Sequence, residues 1–165
     1  MAFTSADATH PPILETRSIP WPDERACAAF AARLAAAPAL FPSSFIALDG
    51  PLGAGKTTFV RHLLRALGIE GRIKSPTYAV MEPYETRGHA VSHFDFYRFD
   101  DAREWADAGF RDVFAAPGLK LAEWPERAAA VLPVADLLLH IEPVDGDARE
   151  VTVHALTAHG VELLA

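Results

Sequence analysis

The sequence predicts an α/β fold in which helices cover both faces of a mixed, mostly parallel sheet. Three observations predict it: short apolar runs of the length of buried strands, helical stretches lying between them, and a glycine-rich turn that joins one run to an amphipathic helix. A chain of 165 residues, 50% of them hydrophobic, is long enough for one core in a three-layer arrangement. The expected organisation is a disordered leader over residues 1–12, which is polar, proline-bearing and without periodicity, followed by one domain over residues 13–165.

Residues 14–19 read as a short edge strand. Trp21-Pro22-Asp23-Glu24 reads as a helix start with acid in the first turn, where the helix dipole favours it, and the Ala-rich sequence carries the helix to Ala36. Pro38 and Pro42 stop it, and Cys27 is expected to pack on it. Phe45-Ile46-Ala47-Leu48 is the run of a buried parallel strand. Beyond the glycine turn, residues 56–66 place Phe59, Leu63 and Leu64 on one side and Arg61, His62 and Arg65 largely elsewhere, in a helix closed by Gly68. Further strands are expected at 78–81, 90–96, 119–122, 137–141 and 151–155, with short helices at 101–108 and 125–131. The last two strands, turning at Asp145-Gly146, are expected to pair antiparallel.

Composition removes several function classes. A formal net charge of −7 disfavours direct binding of nucleic acid, whose affinity comes largely from Lys and Arg. The chain contains no Asn and no Gln, which excludes a GTPase of the usual kind, with its water-positioning Gln and guanine-reading Asn. One cysteine forms no internal disulfide and no Cys-rich metal site, which suits a reducing compartment. The longest uncharged run, residues 34–48, is too short to span a bilayer and is broken by Pro38 and Pro42, so the expectation is a cytoplasmic protein without a membrane partner.

Gly50-Pro51-Leu52-Gly53-Ala54-Gly55-Lys56-Thr57 fills the pattern G-x-x-x-x-G-K-[ST], with a strand before it and a helix after it. Glycines let such a loop turn its N–H groups, with those of the helix start, toward phosphates; the lysine reaches the β and γ phosphates and the hydroxyl of the last residue faces Mg²⁺. The sequence is therefore that of a P-loop NTPase-like domain. Pro51, Leu52, Gly53, Ala54, Gly55, Lys56, Thr57 and Thr58 form its nucleotide-binding set, with ATP and Mg²⁺ as ligands and Lys56 also serving catalysis.

Such a site needs a carboxylate beside the metal. Asp95 and Glu123 each follow a strand, and either fits, because ligands of open α/β sheets sit at the carboxyl ends of strands. His93 and Tyr97 share the period-two face of Asp95 and read as half-buried strand residues. Lys74-Ser75-Pro76-Thr77-Tyr78 places hydroxyls around a proline, as an ordinary turn or as a switch sensing the γ phosphate.

Taken together, GPLGAGKTTF (50–59), KSPTY (74–78) with EPY (82–84), HFDFYR (93–98) and EWP (123–125) closely resemble, in order and spacing, the bacterial TsaE family, also called YjeE. The resemblance runs over about residues 22–149. It implies an ATPase of the threonylcarbamoyladenosine (t6A) tRNA-modification pathway that docks on a TsaB–TsaD complex and meets tRNA only indirectly. It further implies that Ser75, Pro76, Thr77 and Tyr78 are switch-like, that Asp95 serves hydrolysis, that Glu123 holds Mg²⁺ with Thr57, and that Arg149 contacts the nucleotide. Pro51, Cys27 and Ala148 depart from the family's pattern, which commonly has an acid, a Thr and a Gly there.

Two rival functions use the same motif. A small-molecule kinase would draft Arg98, Arg103 and Arg111 as a basic lid over the phosphates, although residues 100–112 hold five acidic residues against two basic ones. A non-hydrolysing sensor would bind partners only in its ATP form. Phosphate release without an acceptor distinguishes the ATPase from both.

Overall fold

The computed structural model describes residues 11–76 and 80–165. The leader expected over residues 1–12 lies outside them, apart from Pro11 and Pro12. In chain order come β1 (Glu15–Trp21), α1 (Glu24–Ala36), β2 (Ser43–Asp49), α2 (Lys56–Ala66), β3 (Met81–Thr86), β4 (His89–Asp95), α3 (Ala102–Asp107), α4 (Phe110–Ala115), β5 (Gly118–Glu123), β6 (Leu137–Pro143), β7 (Arg149–Ala155) and α5 (Ala158–Leu163). Pro38–Leu40 and Pro125–Ala128 are 3₁₀ turns.

Among the described residues the strands form one seven-stranded sheet in the order β1-β7-β6-β2-β5-β4-β3. β6, β2, β5 and β4 are mutually parallel at its centre. β7 and β3 pair antiparallel with β6 and β4, and β1 pairs antiparallel with β7. β1, β6, β2, β5 and β4 therefore point one way and β7 and β3 the other, a mixed sheet with one prevailing direction.

Alternation along β2 divides the core. Ile46 and Leu48 face α1 and α2, while Phe45 and Ala47 face the opposite layer. On the first face Trp21, Phe30 and Phe59 meet with ring centroids 5.9 to 6.0 Å apart, locking α1 and α2 together over the sheet. Cys27 is buried on α1 in the same layer. On the second face Phe94 of β4 packs on Phe110 and Phe114 of α4, and Trp105 of α3 lies against Phe114. Helices thus cover both faces, which leaves the ends of the central strands for chemistry.

Local sequence accounts for the boundaries and for the departures from expectation. Asp23 caps α1 by accepting from the Ala26 N–H at 3.0 Å. Trp21, read as part of the helix start, is instead the last residue of β1, paired with Arg149. The strand expected over residues 78–81 falls partly outside the described residues; the observed strand begins at Met81 and continues through Pro83 to Thr86. A proline is tolerated there because β3 is an edge strand. Arg87 and Gly88, with φ of 52° and 80°, close β3 and β4 into a two-residue hairpin. The helix expected over residues 125–131 is only a 3₁₀ turn, and α4 and α5, six residues each, were not anticipated. Among the described residues no helix is long and apolar enough to cross a membrane.

Candidate functional site

The loop between β2 and α2 is built by its glycines. A side chain on Gly50, at φ 148°, would fall against the carbonyl of Ile141 on β6, so the loop leaves the sheet where only a hydrogen fits. Gly55 caps α2 in the left-handed region at φ 108° and offers no capping side chain. The first N–H groups of α2 are therefore left for an external acceptor, the property that makes a helix start bind anions. Within the loop, the Ala54 N–H donates to the Pro51 carbonyl at 3.0 Å.

Lys56 lies at the start of α2, buried, with Nζ donating to the Gly50 carbonyl at 2.5 Å and standing 3.4 Å from the centroid of the Trp124 ring. Burial lowers its ammonium from the ordinary value, while Glu123, Glu126, Asp49 and Asp95 act in the opposite direction. One turn position on, the Thr57 hydroxyl donates to Glu123 Oε1 at 2.8 Å. The two acids left open by sequence are neighbours: β4 and β5 are parallel in a register that sets Asp95 beside Glu123. Their environments differ. Glu123 is buried and takes hydrogen bonds on both oxygens. Asp95 is half-buried, its Oδ1 accepting from the Tyr97 N–H at 3.0 Å and its Oδ2 from the Ser75 hydroxyl at 3.3 Å. Burial pushes the Asp95 carboxyl above its ordinary pKa, the Tyr97 N–H opposes that, and the charge of Glu123 adds to it.

The structure thus brings Lys56, Thr57, Glu123, Asp95 and Ser75 to one end of the central strands. Pro76 is buried next to Ser75 in the chain. Thr77 and Tyr78 lie outside the described residues. Arg149 reaches the loop from β7, where its Nε donates to the Ala54 carbonyl at 2.8 Å and its Nη1 to the Gly146 and Ala148 carbonyls. Its guanidinium thus ties the loop to the start of β7. Leu52 is exposed at the loop tip.

Two participants were not recognised as such from sequence. His93 is fully buried, and its Nε2 lies 2.6 Å from Glu123 Oε2, so it is no ordinary half-buried strand residue. Period two was its only sequence signal, and that is shared by every core position of a strand. Trp124 adopts φ 56° and ψ 50°, turning its ring under Lys56 and against Tyr97, whose centroid is 5.0 Å away. Its place beside Glu123 in the EWP motif was the available signal.

Chemically, a hydroxyl and a carboxylate in contact form a hard-oxygen pair of the kind that holds Mg²⁺ together with phosphate oxygens, and one carboxylate is enough for such a site. Among the described residues no cluster of three or more His, Cys, Asp or Glu is placed to hold a metal by itself.

Comparison with known proteins places these residues in a family context. The family model described as "Threonylcarbamoyl adenosine biosynthesis protein TsaE" matches residues 21–151. The chain is 42% identical over 118 residues to the tRNA threonylcarbamoyladenosine biosynthesis protein TsaE of Haemophilus influenzae, covering 72% of this chain and 74% of the relative. It is 36% identical over 115 residues to the protein of that name from Bacillus subtilis, covering 70% and 72%. The crystal structure of Bacillus subtilis YdiB superposes with a TM-score of 0.69 at 28% identity, over 91% of this chain and 92% of that one.

Proposed function

The chain belongs to the TsaE family, and from that premise we propose that it is the ATP-binding and ATP-hydrolysing component of a tRNA N6-threonylcarbamoyladenosine machinery. The observation that carries the reading is the convergence of Lys56, Thr57, Glu123 and Asp95 at the end of the parallel strands beside an uncapped helix start.

In this reading the loop from Pro51 to Gly55 and the first N–H groups of α2, including those of Lys56, Thr57 and Thr58, bind the phosphates. Lys56 leaves the Gly50 carbonyl and the Trp124 face and takes its place against the β and γ oxygens. Its burial keeps that charge out of competition with water. Thr57 and Glu123 hold Mg²⁺, which when bound neutralises charge building on the phosphate oxygens. Asp95 orients the water that attacks the γ phosphorus and accepts its proton. Arg149 keeps the loop in shape through Ala54.

Ser75 ties the segment that begins the switch-like motif to Asp95. That bond supports a coupling between nucleotide state and the switch-like motif of Ser75, Pro76, Thr77 and Tyr78. We assign that motif to the response that governs docking on a TsaB–TsaD-type complex in the cytoplasm, with tRNA contacted only through the complex. The net charge of −7 supports an indirect relation to tRNA. Family membership leaves the metabolite-kinase reading without a supporting observation.

The test is reconstituted tRNA modification with the other pathway proteins, comparing wild type with Asp95→Ala. The variant is expected to bind ATP and to fail at repeated rounds of modification. Wild-type cycling by the variant, or efficient cycling without this protein, would overturn the assignment.

A further inference from the structure

We propose that His93 is the positioning residue that holds the Glu123 carboxylate in its metal-binding orientation; the inference rests on the assignment of Mg²⁺ to Thr57 and Glu123. Glu123 is 2% exposed, and a carboxylate removed from water must find donors within the protein. Among the described residues it has two, one on each oxygen and from different elements: the Thr57 hydroxyl of α2 on Oε1 at 2.8 Å and His93 Nε2 of β4 on Oε2 at 2.6 Å.

These two donors have different freedoms. The threonine hydroxyl turns about its C–O bond, and its oxygen would be drawn to a metal ion held there with Glu123. The imidazole is 0% exposed in a packed strand and has no room to turn. His93 is therefore the hold on Glu123 that persists whether or not a metal is present. The register explains how it reaches: His93 pairs with Leu121 and Asp95 with Glu123, so His93 meets Glu123 along the diagonal of the same face. One strand thus presents the acid assigned to hydrolysis and, two residues earlier, the group that steadies the metal carboxylate.

The other ring nitrogen argues against a merely structural role. With Nε2–H committed to Glu123, Nδ1 is buried and has no partner among the described residues. Leaving a buried polar atom unpaired is costly, and Leu or Phe would fill the strand position without that cost. What an aliphatic side chain cannot supply is a fixed donor to Glu123. Donors behind a metal's carboxylate or imidazole ligands commonly matter by about 10- to 100-fold in metal affinity.

The test uses the full chain as wild type, Glu123→Ala, His93→Leu and His93→Gln, with a non-hydrolysable ATP analogue. Mn²⁺ is the paramagnetic probe, followed by loss of its free-ion signal; nucleotide binding in EDTA and a melting curve are measured alongside. His93→Leu is expected to weaken Mn²⁺ binding about tenfold or more while changing metal-free nucleotide binding less than about twofold. His93→Gln, whose amide nitrogen lies near the position of Nε2, is expected to recover most of the loss. Unchanged Mn²⁺ affinity in folded His93→Leu, or equal weakening of both nucleotide forms, overturns the proposal while leaving the metal assignment standing. Absence of nucleotide-dependent Mn²⁺ uptake by wild type, or wild-type uptake by Glu123→Ala, overturns both. If His93→Leu does not fold, His93→Asn, one methylene too short to reach Glu123, replaces it against His93→Gln under the same two outcomes.

Discussion

Thr57 donates its hydroxyl proton to Glu123 Oε1 at 2.8 Å, joining the first turn of α2 to the last residue of β5 across 66 positions of sequence. The parallel pairing of β2 with β5 sets Glu123 beside Leu48, one residue from the end of the strand that feeds the loop. The carboxylate is therefore held in place by the sheet and the hydroxyl by the helix.

Removing that carboxylate separates metal from phosphate binding. Glu123→Ala is expected to weaken Mg-ATP at least about tenfold and metal-free nucleotide much less, measured by titration calorimetry with Mg²⁺ or with EDTA. Equal weakening of the two forms would mean that Glu123 does not serve the metal.

The layer of α1 and α2 over the sheet is anchored by Phe59, fully buried between Trp21 and Phe30. Phe59→Ala is expected to lower unfolding free energy by about 3–5 kcal/mol, read from the urea midpoint at unchanged slope. A loss below about 1 kcal/mol would show that α2 is not anchored through this ring.

These two sites mark what sequence could and could not show. The strands at 45–48, 90–96, 119–122 and 137–141 were legible because each carries a short run of apolar residues, and the glycine-rich turn from β2 to α2 was legible because its motif is contiguous. Contacts made through space were not. Nothing in HFDFYR says that His93 reaches across to Glu123, since that depends on the β4–β5 register. The left-handed backbone of Trp124 was equally hidden. β3 was hard to read because Glu82, Pro83 and Glu85 break the apolar pattern, as an edge strand allows. Helices of one to two turns, such as α4 and α5, carry too few residues to establish a period.

Cys27 illustrates a residue whose chemistry is suppressed by its place. Burial first, and then the charge of Glu24, push its thiol up to about 12. In native protein it is expected to resist iodoacetamide at neutral pH and to react on unfolding in urea. Rapid alkylation of the native chain would contradict its placement in the core.

His140 stands between Asp49 and Glu142, with Nδ1 2.9 Å from one carboxylate and Nε2 2.8 Å from the other. The hydrogen bond to Asp49 raises the imidazole above its ordinary 6.5, burial works against this, and the charge of Asp49 and the hydrogen bond and charge of Glu142 add to the rise. A raised folded pKa means stabilisation that is complete below the unfolded value and lost as pH climbs through the folded one. The side chain is 41% exposed, so the effect is screened and stays below about 1 kcal/mol. The Tm advantage of wild type over His140→Gln is expected to be larger at about pH 5.5 than at about pH 8.5. A pH-independent difference would remove the ionic contribution.

The most direct test of the nucleotide site is the melting temperature with and without Mg-ATP, for wild type and Lys56→Ala. At free ligand a hundredfold above Kd, Mg-ATP is expected to stabilise the wild-type fold by about 2.7 kcal/mol, GTP to do less, and Lys56→Ala to lose most of the rise. No rise in wild type, or an undiminished rise in Lys56→Ala, would contradict the phosphate-binding role on which the whole account depends.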